Sequence, residues 1–151
     1  MSTLVQPERI ALRKLWWVGP LAIASAVIAN GIVRAIALAV LNPDPSFAPL
    51  QSPTFLPFTI IGVLGAVIVF ALVARFARNP IRTYHIVAFA ALLISFVPDL
   101  LLLLNPAGAP PPGGPPAVGG ITVVNVAALM ILHVVAYAIS VGLLTTLTRE
   151  K

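Results

Sequence analysis

Four apolar runs, each long enough to cross a membrane as a helix and three of them followed by a proline-bearing turn, constrain this chain more than any other feature. A helix rises about 1.5 Å per residue, so a hydrocarbon core of about 30 Å takes roughly 20 apolar residues. Runs over about 17–41, 58–76, 83–104 and 121–147 meet that requirement. Of the 151 residues, 60% are hydrophobic and 9% charged, against about 25% charged in soluble domains. Such a chain cannot clothe a water-facing surface. The expected fold is an all-α membrane protein, a bundle of four transmembrane helices forming one domain over residues 1–151.

The connections are as distinctive as the runs. Residues 42–57 carry Pro43, Pro45, Pro49, Pro53 and Pro57, which reads as a stiff, extended loop. Residues 105–120 form a second proline-rich loop that includes five glycines, too poor in apolar side chains to pack and expected to be mobile. Between the second and third runs the turn is tight, at Asn79-Pro80, with Arg75, Arg78 and Arg82 around it.

Charge gives the orientation. Eight of the nine Lys and Arg residues lie before the first run, around the Asn79-Pro80 turn or after the last run, and neither proline-rich loop has one. By the positive-inside rule, both termini and the Arg-rich turn are cytoplasmic and both proline-rich loops are outside. Trp16 and Trp17 suit the headgroup level at the start of the first span. That span is too long for the apolar part of a signal peptide and is interrupted by Asn30 and Arg34, so it is expected to be retained. The net charge of +5 gives no basic stripe with interleaved aromatics, and nucleic acid is set aside as a partner. Cysteine is absent, which removes disulfides, thiolate metal sites and thiol catalysis.

The informative residues are the polar ones inside the spans. Counting along the helices from the cytoplasmic ends puts Asn30 and Arg34 roughly 20 and 26 Å from Trp17. Asp99 lies about 22 Å from Tyr84, and His133 about 22 Å from Thr148. Three helices therefore carry polar groups at one depth, in the outer half of the core. The faces agree: Ala22, Ala26, Asn30 and Arg34 share one row, as do Ala88, Ala91, Ser95 and Asp99, and His133, Ala136, Tyr137 and Ser140, with Asn125 above them. With Thr59, Gly62, Gly65 and Ala66 of the second span, these small-residue faces are expected to pack together. Pro98 frees the carbonyl of Ile94 and is expected to bend the third span beside the carboxylate.

The resulting expectation is one buried polar cluster of Asn30, Arg34, Asp99 and His133, supported by Ser95, Pro98 and Tyr137. Arg34 and Asp99 would compensate each other's charge across the bundle. Two uses are open. Such groups fix packing and register in many bundles, and ionisable side chains within spans are also the usual seats of ion and proton handling. Arg34 could equally snorkel to the outer interface, and His85, beside Arg82, reads as an interfacial anchor.

Enzymatic signals are missing. No serine sits in a nucleophile elbow, and there is no His-Glu-x-x-His, paired-carboxylate or phosphate-loop pattern. No metal and no cofactor is expected; His133 could ligate a haem or pigment, but no second histidine lies at its depth.

Four short motifs carry a resemblance across nearly the whole chain. They are Leu15-Trp16-Trp17-Val18-Gly19-Pro20-Leu21, the turn from Arg75 to Thr83, Phe96-Val97-Pro98-Asp99-Leu100-Leu101-Leu102, and Leu132-His133-Val134-Val135-Ala136. In this the chain resembles small four-helix bacterial membrane proteins classed as a domain of unknown function. The resemblance implies the same topology and a bacterial inner-membrane location, and supplies no functional residues. The leading reading is then a non-enzymatic structural, accessory or interaction subunit, in contact with the lipid bilayer and assembled as a homo-oligomer or in a larger membrane complex. The alternative is a small oligomeric transporter or channel-like protein in which Asp99 and His133 handle a proton or ion. An enzyme acting on lipid or quinone is a distant third.

Overall fold

A computed structural model describes residues 10–43, 46–104 and 119–150. The expected mobility of the second proline-rich loop therefore falls almost wholly outside the described residues. After a short 3-10 turn at Leu12–Lys14, four helices follow: α1 (Leu15–Leu41), α2 (Ser52–Phe76), α3 (Pro80–Leu104) and α4 (Val123–Leu147). All four are long and apolar enough to span a membrane.

The helix ends follow from local chemistry. Asn42 closes α1 in the left-handed conformation at φ 43° and ψ 56°, a region that asparagine tolerates better than most residues and that proline at the next position cannot extend into helix. The segment behind it is less extended than its prolines suggest: a 3-10 turn at Ala48–Leu50 interrupts it, and α2 begins at Ser52 rather than near 58. Pro53 falls in the first turn, where a missing N–H costs nothing. The same tolerance starts α3 at Pro80 itself, three residues before the expected boundary. At α4, the Thr122 hydroxyl accepts the Asn125 N–H at 3.1 Å and caps the helix. Asn125 serves this end, donating from Nδ2 to the Gly120 carbonyl at 2.6 Å, and is no part of the polar cluster. α3 runs through Pro98 without a break.

In the bundle, α1 lies against α2 and α4, and α3 lies against the same two helices. α2 and α4 also touch across the centre. α1 and α3 are thus held on opposite sides of that contact. Residues 10–14 meet residues 148–149: Ile10 and Arg149 form an antiparallel bridge, the Ala11 N–H donates to the Thr148 carbonyl at 2.9 Å, and Lys14 Nζ donates to the Arg149 carbonyl at 2.8 Å.

Packing is dense at both ends and sparse between. Val18, Phe70, Tyr84, Val141 and Leu144 fill the end near the termini, where the Tyr84 ring meets Phe70 edge-on at 4.8 Å. Phe47, Leu50, Phe55, Ala128 and Leu132 fill the other end, so the residue 46–51 segment folds over the bundle. The middle cluster is only Ala22, Ala26 and Val63.

Glycines separate close packing from open space. A Cβ on Gly19 would lie 3.3 Å from Val67 Cγ1, whereas one on Gly62 or Gly65 would meet nothing within 4 Å. The expected tight packing of the Gly62/Gly65 face is therefore replaced by a void. Gly19→Val is expected to lower stability by about 1–3 kcal/mol through overpacking. Gly65→Ala should melt at or above the wild-type temperature, since it removes unfolded-state freedom without a clash. Thermal unfolding of the two variants in one detergent checks the pair.

Candidate functional site

From the sparse middle of the bundle to the packed end around Phe55 and Leu132 extends a chamber of about 520 Å³ between α2, α3 and α4, with Asn30 of α1 in its wall. Its surface is mostly apolar, with Phe55, Phe58, Leu102 and Leu132 among its lining side chains. Asp99 and His133 stand together in that wall. Their helices are adjacent, and the depth count that put them level is met: His133 Nδ1 lies 3.2 Å from Asp99 Oδ2.

The pair is asymmetric. Asp99 is 4% exposed, while the His133 side chain keeps 36% of its surface accessible. His133 Nδ1 also lies 3.0 Å from the carbonyl of Leu129, one turn back on α4. A carbonyl oxygen only accepts, so Nδ1 carries a hydrogen and Nε2 is the nitrogen left for other chemistry. That one hydrogen is offered to two acceptors. The carbonyl has the better alignment: Asp99 Oδ2 has no hydrogen bond that satisfies angular criteria. The 3.2 Å contact is thus a close electrostatic approach and leaves the carboxylate short of donors. The Phe96 ring meets the imidazole at a near-perpendicular 84°, with 6.4 Å between centroids.

Asn30 lines the same chamber and is 2% exposed. Its Nδ2 donates to Thr59 Oγ1 over a long 3.4 Å, tying α1 to α2, while Oδ1 is buried without a partner. Ser95 and Pro98 also line the chamber, on the Asp99 face of α3. The Ser95 hydroxyl bonds its own helix, donating to the Leu92 carbonyl at 2.7 Å, and does not support the carboxylate. Tyr137 belongs to a second cavity of about 290 Å³, further towards the Tyr84 end.

Arg34 departs from the expected cluster. Its Nε donates to the Leu50 carbonyl at 2.5 Å and its guanidinium sits 5.8 Å from the centre of the Phe55 ring. It is not in the chamber wall. The reason is positional: Arg34 is on α1 and Asp99 on α3, the two helices that the α2–α4 contact keeps apart. The partner it takes instead comes from the loop segment folded over the bundle end. Depth and face, read from sequence, say nothing of helix order around the bundle. The nearby Leu129 and Leu50 carbonyls carry no side-chain signal, although the i−4 spacing of Leu129 from His133 puts that carbonyl within reach.

Among the described residues no group of three His, Cys, Asp or Glu side chains is placed to hold a metal ion. A comparison with curated proteins and one with solved structures each return no match. Residues 10–108 match the model of a family described as a family of unknown function, DUF6069.

Proposed function

The chain belongs to that family of unknown function, and from this premise we propose that it is a non-enzymatic integral membrane protein which holds a lipid-phase ligand in the chamber beside Asp99 and His133. The observation that carries this reading is a mostly apolar void of about 520 Å³ set against a 4%-exposed carboxylate. Sites for small ligands are of this size and kind, apolar with a few convergent polar groups. A pair kept only to fix the bundle would account for Asp99 and His133 but leave the void unexplained.

The setting belongs to the same proposal. In it the chain sits in the inner membrane of a bacterial cell with both termini in the cytoplasm, an orientation that the clustering of Lys and Arg at one end of the helices supports. The meeting of residues 10–14 with 148–149 agrees with termini on one side. Self-association or a larger membrane complex would cover the open side of the chamber. A second reading, proton or ion transfer through the oligomer, draws on the half-buried imidazole next to the carboxylate.

The test is direct. Protein extracted in mild detergent should carry a non-covalent adduct in native mass spectrometry. Gly62→Phe, which places a ring in the chamber, should lose the adduct while its melting temperature stays within a few degrees. An unliganded wild type, or an adduct that Gly62→Phe leaves in place, would overturn the reading.

A further inference from the structure

The polar atoms of the chamber wall are mismatched in kind. Asp99 Oδ2 and Asn30 Oδ1 are both buried, both without a hydrogen bond, and both acceptors. Three neighbouring donors are directed elsewhere. The His133 Nδ1 hydrogen is directed at Leu129, the Ser95 hydroxyl at Leu92, and Asn30 Nδ2 at Thr59. Buried polar groups are nearly always satisfied, so the wall has a surplus of acceptors that an occupant must meet with N–H or O–H.

A second cavity adjoins the first, and Gly62, Val63, Ser95, His133 and Ala136 line both. It runs on past Gly65 and Ala88 towards Tyr84, and its wall is nearly all apolar. Added Cβ atoms on Gly62 and Gly65 would meet nothing within 4 Å, so among the described residues no atom fills the space beside these two positions. One end offers acceptors and the other a largely apolar slot, with Tyr137 and Ser140 among its lining residues.

We propose that the ligand is a single-chain amphiphile whose head group donates hydrogen bonds, an alcohol or an amine, with its head at Asp99 and Asn30 and its chain along the Gly62–Gly65 slot. This rests on the reading of the chamber as a lipid-phase ligand site and adds the chemistry of the occupant. Acceptor-only head groups such as ethers and ketones are disfavoured, because they would face two unpaired oxygens.

The experiment uses the full chain in lipid nanodiscs and three probes with one chain length: dodecanol, dodecylamine and dodecyl methyl ether. Wild type should bind the alcohol, the amine or both at least about tenfold more tightly than the ether, one well-made hydrogen bond's worth of discrimination. A preference for the amine over the alcohol identifies the head as a cation, and equal binding identifies it as a neutral donor. Asp99→Asn, which can supply its own N–H, should narrow the gap to the ether. Gly65→Leu should weaken all three probes alike. Ether binding as tight as alcohol binding overturns the donor assignment and leaves the chamber as a ligand site. No binding of any probe overturns both.

Discussion

Replacing His133 by leucine is expected to lower the stability of the detergent-solubilised protein by about 2–3 kcal/mol, and replacing Asp99 by leucine as well is expected to recover most of that loss. The reasoning rests on asymmetry of burial. Asp99 is almost fully enclosed, and its Oδ2, which makes no hydrogen bond among the described residues, has the imidazole at 3.2 Å. Removing His133 leaves a buried carboxylate facing apolar walls, which costs far more than the contact itself contributes. Removing both substitutes apolar side chains in an apolar chamber. A double-mutant cycle followed by thermal unfolding measures the coupling. Two single losses that simply add would show that the 3.2 Å approach has no energetic content.

The second large effect concerns Arg34. Arg34→Met keeps the aliphatic stem and removes the charged hydrogen bond to the Leu50 carbonyl together with the contact over Phe55. A hydrogen bond from a charged donor contributes about 1.5–3 kcal/mol, and a cation over an aromatic face about 0.5–1 kcal/mol more at exposed sites. A loss of about 2 kcal/mol is therefore expected, concentrated at one end of the molecule. Amide hydrogen exchange should rise in residues 46–51, which Arg34 holds over the bundle, and stay unchanged along α3. Combining Arg34→Met with Asp99→Asn should give additive effects. Strong coupling between them would restore the ion pair that the helix arrangement rules out.

These two pairs mark where sequence reading reaches and where it ends. Composition and run length suffice for four helices because nothing else can absorb so many apolar residues. Helical rise is constant, so depth along each span can be counted, and that brought Asn30, Asp99 and His133 to one level. Order around the bundle depends on which helices touch, and no periodicity encodes it. Arg34 was therefore assigned to the right end and the wrong neighbour. Proline misled in the opposite direction: Pro53 and Pro80 look like interruptions, yet each sits where a helix can begin. Gly62 and Gly65 show a further ambiguity, since the absence of a side chain allows either a close neighbour or a void. Gly19 has the neighbour and these two have the void.

The bridge between Ile10 and Arg149 brings the described residues nearly into a closed ring. A bundle closed in this way can be opened elsewhere with little change in its topology. Joining the segments after Arg149 and before Ile10 through a short polar linker, and cutting at Arg78, would give a circular permutant that starts with α3. Every helix would keep its direction, and the basic residues would stay at the same end of the bundle. The loop entropy of such a linker is small. The chamber, built from α2, α3 and α4, would then have its two outer walls joined through α4 and α1 rather than through the Arg-rich turn. A permutant with wild-type melting would show that the site is a property of how the helices pack, independent of the order in which they are synthesised.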